Sequence, residues 1–167
     1  NCPDVEIPSD ASMMSFAKLA GLEVTNAPSE KESIGHSLEN SVLRDSNDLI
    51  TPMAAWLALG NGGLISGAPH AAHKESNRIT KTVEMLSRFG IKASANTDGI
   101  LVEGGQVPSR PDGIVETYGD HRMQMTAVLL ARFCGAMIEG EDLHEVAWPS
   151  FLEQLKLCGL DVKTITV

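Results

Sequence analysis

The chain is short of the residues that mark a specialised environment. It has three cysteines in 167 residues, one tyrosine and an aromatic content of 4%. Cys2, Cys134 and Cys158 are odd in number and form no CxxC pair, which excludes a fully paired disulfide framework and a CxxC redox centre. The last two close apolar, helix-like runs where buried free thiols are expected, in keeping with a reducing, cytoplasmic setting. The five histidines are scattered, and His144-Glu145 lacks a second histidine at the zincin spacing, so no metal is expected. No apolar run reaches the ~18 residues of a membrane span, and no basic leader with an apolar core opens the sequence, so no membrane partner is expected. Basic residues are scarce too, 13 against 22 acidic, for a formal net charge of -9. That shortage argues against nucleic acid, whose binding surfaces carry a basic stripe. It also means that an anionic ligand must be held by a local cluster, because the overall field opposes it.

What is present describes an ordinary globular chain, with 43% hydrophobic residues and a mean hydropathy of -0.03. Its length suits a single domain, residues 1–167, that buries about two-thirds of its unfolded surface. Glycines and prolines divide it into alternating elements. Residues 5–8 and 22–25 read as strands around a helix that Ser9 or Asp10 caps and that runs to about Ala20. From Asn26 to Asn47 periodicity fails, and a loop or poorly specified element is expected. Helices follow at about 49–59 and 74–89, the second with Ile79, Val83, Leu86 and Phe89 on one face and Gly90 as its stop. Strands are expected at 64–66, 91–95, 100–103, 114–118, 136–139 and 161–167. A helix starts at "YGDHRMQM" (118–125), and another covers 149–157 with Pro149 in its first turn.

A repeat runs through this order. "LALGNGGLISG" (57–67) and "LLARFCGAMIEG" (129–140) are each a helix end, a glycine and a glycine-closed strand. Both lead through a loop to a further helix, about 70 residues apart, and a worn third copy starts near Ser12. Repeated α/β units are the expected architecture.

Two expected helix starts carry cations, "HKESNR" (73–78) and "DHR" (120–122). A helix N-terminus presents unpaired N–H groups and a positive dipole end, so it attracts phosphate or carboxylate. Lys74 and Arg78, four apart, would share a helix face, with Lys74 a mobile point charge and Arg78 a planar fork for an oxyanion. Asp120 is a natural N-cap, but His121 and Arg122 oppose the dipole and need a compensating anion, either a ligand or a nearby carboxylate such as Glu116. Asp48, at the entrance of another helix, reads on its own as an N-cap.

"HKESNRI", "DGILVEGG" and "YGDHRMQM", in that order and spacing and followed by "WPSFLEQLKLCGL", resemble the C-terminal half of the enolpyruvyl transferases. The resemblance is specifically to the 5-enolpyruvylshikimate-3-phosphate synthase family, and it runs from about Val5 to Val162. It implies an inside-out α/β domain built from repeated βαβαββ units, sheets outside and helices inside. It further implies the second of two domains, with a shortened first unit, inactive without the N-terminal domain as its partner. The implied substrates are phosphoenolpyruvate and shikimate 3-phosphate, with no cofactor. By the same resemblance Asp48, Lys74 and Glu75 are catalytic, Asp48 as base and Glu75 as general acid and then base, whereas Arg78, His121 and Arg122 bind phosphoenolpyruvate. His70 stands where an asparagine often meets the phosphoshikimate. Ala72, Asn77 and Val146 replace a usual arginine, aspartate and lysine. These departures keep two alternatives open: a different acceptor hydroxyl, or a non-catalytic domain that binds a phosphorylated ligand.

Overall fold

The structure, a computed structural model, describes residues 40–42, 47–140, 142–163 and 165. The elements expected before residue 26, and with them the third repeat copy, lie outside the described residues. Two βαβ crossovers organise the rest. In the first, strand β1 (Asn40–Val42) leads through a 3-10 turn (Asn47–Leu49) into helix α1 (Ile50–Leu59), and strand β2 (Gly62–Ser66) returns parallel to β1. In the second, strand β5 (Ile114–Val115), helix α3 (His121–Cys134) and strand β6 (Met137–Ile138) repeat the arrangement, again with a parallel pair. A 3-10 turn follows each crossover, Pro69–His73 and Leu143–Val146, and then a helix, α2 (Arg78–Arg88) or α4 (Phe151–Leu157). After α2 the hairpin strands β3 (Ala93–Ala95) and β4 (Ile100–Glu103) complete a four-stranded sheet in the order β1-β2-β4-β3. The unit from β1 to β4 thus reads βαβαββ, the order that the resemblance implies.

Helix α1 explains why the sheets lie outside. Seven of its residues, from Ile50 to Ala58, are buried on several sides, and a helix that is apolar all round must sit in the interior. Pro52 is tolerated there because the first-turn N–H groups have no intrahelical partner. Helices α2 and α3 pack against it, and Thr51 and Thr82 share a buried hydrogen bond of 2.9 Å beside the Met123 sulfur. The sheet closes the other side with one face only: Ile100 and Val102 of β4 are buried, whereas Leu101 and Glu103 point to solvent. Gly99 allows that closure, since a Cβ there would lie 1.8 Å from the Ile65 carbonyl oxygen.

Helix α2 keeps Ile79 and Leu86 inward, with Phe89 just beyond its end and Val83 partly buried. It closes in a Schellman motif, Ile91 N–H donating to Leu86 O and Gly90 N–H to Ser87 O, with Gly90 at φ 72. It starts a turn later than expected. Asn77 is its N-cap and accepts from the Thr80 N–H at 3.2 Å, so residues 74–76 lie outside the helix and their side chains reach other partners.

Other expectations are corrected as well. Residues 40–42 form a strand inside the stretch read as a loop; three residues carry no alternation to detect. The strand expected at 114–118 stops at Val115. Helix α4 begins at Phe151 because residues 143–148 turn on themselves, Trp148 N–H donating to His144 O. No strand appears at residues 161–163 or 165. Cys158 is exposed rather than buried, and Cys134 is half-buried.

Candidate active site

The N-terminal ends of α1, α2 and α3 meet at one place. Asp48 comes from the turn before α1, Arg78 is the first residue of α2, and Asp120 caps α3 ahead of His121 and Arg122. The segment between the 69–73 turn and α2 adds Lys74, Glu75 and Ser76. Three helix dipoles therefore present positive ends to a common point.

Asp48 is not the N-cap of α1, which is Leu49 with no side-chain bond. Its carboxylate instead takes three cations. Arg78 Nη1 donates to Oδ1 at 2.5 Å, Lys74 Nζ lies 3.4 Å from the same oxygen, and Arg122 Nη2 donates to Oδ2 at 3.2 Å. Burial pushes the Asp48 pKa up, but the fields of Arg122, Arg78 and Lys74 outweigh it and hold the carboxyl below its ordinary value.

Arg78 is 2% exposed and Asp120 is 0% exposed. They form a bidentate pair, Nε to Oδ2 at 2.7 Å and Nη2 to Oδ1 at 3.2 Å. Asp120 also accepts from Ser76 Oγ at 2.9 Å and from the Arg122 backbone N–H at 2.9 Å. Burial raises its pKa, and the hydrogen bonds and charge of Arg78, with those two further donors, bring it below the ordinary carboxylate value. Arg78 moves the opposite way: burial lowers its pKa and Asp120 more than restores it. Glu75 completes the ring, with Oε2 at 3.5 Å from Arg78 Nη2 and 2.8 Å from His121 Nδ1. With Glu75 ionised, Nδ1 carries the proton of that bond; with Glu75 protonated, the carboxyl donates it to Nδ1.

Asp48, Lys74, Glu75, Arg78, His121 and Arg122 are thus brought together. His70 is not: it lies exposed in the 69–73 turn and joins none of these pairs. Lys74 and Arg78 meet at Asp48 without sharing a helix face. Nor is Arg78 an open fork, since its donors face three carboxylates. The cations at the α3 start find their compensating anions within the protein, Asp48 for Arg122 and Glu75 for His121, rather than Glu116. Of the cluster's cations, Lys74, 37% exposed, and Arg122, 29% exposed, face outward the most, and Arg122 Nε is buried with no partner among the described residues. Sequence reasoning took Asp120 for a cap alone and missed its second oxygen on Arg78. It also missed the Gln124–His144 pair, in which Gln124 Oε1 accepts from the His144 N–H at 3.0 Å.

Glu75, Asp120 and His121 bring one ligand atom each within 4.8 Å of one another. These donor types suit a divalent cation, but Arg78 already occupies Asp120 and reaches Glu75, and a metal would face that guanidinium.

The chain is thus an α/β repeat domain whose helix N-termini converge on a cluster of carboxylates and cations. Comparison with known proteins narrows the class. The profile of EPSP synthase (3-phosphoshikimate 1-carboxyvinyltransferase) matches residues 3–155, and the chain belongs to that family. The 3-phosphoshikimate 1-carboxyvinyltransferase of Korarchaeum cryptofilum is 32% identical over 163 residues, 93% of this chain and 37% of the relative. That of Alkaliphilus metalliredigens is 35% identical over 129 residues, 75% of this chain and 30% of the relative. A solved EPSP synthase from Acinetobacter baumannii aligns with a TM-score of 0.58 over 69% of this chain and 27% of that one, at 24% identity, and shares the fold. The chain spans about a third of the length of these curated relatives. Among the described residues no helix is long and apolar enough to cross a membrane.

Proposed function

We propose that the chain is the second domain of a two-domain enolpyruvyl transferase. With the other domain it moves the enolpyruvyl group of phosphoenolpyruvate to the 5-hydroxyl of shikimate 3-phosphate and releases phosphate. The observation that carries this reading is the cluster itself, with two separately held carboxylates, Asp48 and Glu75, among cations at three converging helix starts. Addition needs an acceptor for the hydroxyl proton and an acid for the methylene carbon, and elimination of phosphate reverses both transfers. Asp48, kept ionised by Arg122, Arg78 and Lys74, accepts the hydrogen of the attacking hydroxyl, with Lys74 beside it. Glu75, beside His121, enters the addition in its protonated form, gives that proton to the methylene carbon and recovers it from the methyl group as phosphate leaves. Arg122 and Lys74 are the outward cations that take the phosphoenolpyruvate anion, and Arg78 braces the floor between the carboxylates.

Of the departures from the family pattern, Asn77 has a structural answer, because asparagine caps α2 as well as aspartate would. It therefore gives no support to a different acceptor.

The test is phosphate release from phosphoenolpyruvate, with shikimate 3-phosphate as acceptor, by this chain assembled with the other domain. Turnover is expected from the assembly and not from the 167 residues alone. Release with some other hydroxyl acceptor but not this one overturns the reading, and substantial turnover by the isolated chain overturns the two-domain arrangement.

A further inference from the structure

We propose that Asp120 is a positioning residue that acts through Arg78 to fix the two proton-handling carboxylates, Asp48 and Glu75, relative to each other. The inference rests on the reading of the site given above. One planar guanidinium touches all three acids: Nε and Nη2 on Asp120, Nη1 on Asp48 and Nη2 on Glu75. A bidentate pair fixes the plane of the fork as well as its position, which a lysine at 78 could not do. With that plane set, the directions in which Nη1 and Nη2 meet Asp48 and Glu75 are set too.

Asp120 is suited to this and to little else. It has no exposed surface, so it cannot touch a substrate. Capping α3 takes one acceptor oxygen, which serine, threonine or asparagine supplies equally well. An aspartate here uses both oxygens: Oδ1 for the Arg122 N–H and one edge of Arg78, Oδ2 for the other edge and for Ser76. The cap and the clamp are thus one side chain, and the start of α3 is tied to the acids that come from the starts of α1 and α2. A guanidinium free to turn would leave both carboxylates present but misaligned, which impairs the chemical step more than anion binding.

The test uses the full-length polypeptide with selectively labelled arginine, in the wild type and in Asp120→Ser, Asp120→Asn and Arg78→Lys. In the wild type the Arg78 Nε–H is expected as a resolved, slowly exchanging resonance, and in Asp120→Ser as an averaged one, although α3 stays capped. Turnover at saturation is expected to fall by about 10²-fold in Asp120→Ser, with KM for phosphoenolpyruvate within about three-fold. Arg78→Lys is expected to do the same, and the double variant to lose little more than either single one. A protected Arg78 resonance in folded Asp120→Ser, unchanged turnover, or a loss confined to KM each overturns the proposal. Should Asp120→Ser fail to fold, Asp120→Asn, which keeps shape and cap and loses the charge, carries the same expectations. A wild type that folds but turns over neither substrate refutes the functional reading instead, and the Arg78 resonance of Asp120→Asn then decides the clamp.

Discussion

Asp48 and Arg122 stand 74 positions apart in the sequence and 3.2 Å apart in space, carboxylate oxygen to guanidinium nitrogen. The contact gives Arg122 a partner that a helix N-terminus denies it. Both groups remain partly exposed, and an ion pair of that kind stabilises by about 0–1 kcal/mol. Arg122→Ala is therefore expected to leave the fold intact, with Asp48 still held by Lys74 and Arg78. Phosphoenolpyruvate binding by the assembled enzyme should weaken by roughly 1.5–3 kcal/mol, the scale of a charge-assisted hydrogen bond. Titration calorimetry with parallel thermal melts checks both halves. A variant that unfolds while the wild type does not makes Arg122 a structural residue.

Glu75→Gln keeps the shape and polarity of the side chain and removes its ability to give and recover a proton. Turnover of the assembled enzyme is expected to drop by ~10² or more, as for loss of a general acid–base. Phosphoenolpyruvate affinity should stay within a few-fold, since Glu75 contributes no positive charge to the anion site. Steady-state rates beside equilibrium binding measure this. Retained turnover removes Glu75 from the proton-transfer role.

Much of this site was legible in the sequence, and the limits are physical. The α2 and α3 helices follow from apolar spacing and from capping at Asp120 and Gly90, all of it local. The resemblance to a family picked out Asp48, Lys74 and Glu75 and their roles, without the pairs to Arg78, Arg122 and His121 that hold the two carboxylates. What could not be read was pairing across distance: Lys74, Glu75 and Ser76 leave the helix because Asp48, His121 and Asp120 draw their side chains away and Asn77 caps the turn after them. The strand at 40–42 stayed hidden because its support is the parallel partner β2, not its own three residues. His70 stands where the family often has an asparagine, and its exposed place apart from the cluster is a tertiary fact.

Acid should weaken the Asp120 clamp in a defined window. The folded-state pKa of Asp120 lies below its ordinary value, so its stabilisation is fully present above the unfolded value of about 3.9. It is lost as pH falls through the lower folded value. Asp120→Asn is expected to cost about 3 kcal/mol at neutral pH, as when one partner of a buried pair is removed. That difference should hold down to about pH 4 and shrink below it, as the wild-type carboxylate takes up its proton. Denaturant unfolding of both proteins at a series of pH values reads it directly. A difference that widens on acidification contradicts the ion-pair assignment.

Val146 carries the most exposed prediction. It ends the 143–146 turn and is 79% exposed, so it is not packed beneath Trp148, whose ring meets Phe151 instead at 5.5 Å between centroids. Lysine at this place therefore displaces no packed side chain, and Val146→Lys is expected to leave the melting temperature unchanged. The turn itself is anchored to α3 through His144 and Gln124, one helical turn beyond His121. The resemblance to the family, whose members often carry lysine here, implies that the lysine charge would face the phosphoenolpyruvate anion. A partly solvated pair near ~4 Å is worth roughly 1–4 kcal/mol before desolvation, so binding by the assembled enzyme should tighten by about 1 kcal/mol. Because a surface charge is screened, the gain should shrink as salt is raised. Titrating phosphoenolpyruvate into both proteins at low and high ionic strength decides the matter: equal affinities at low salt would place residue 146 away from the substrate.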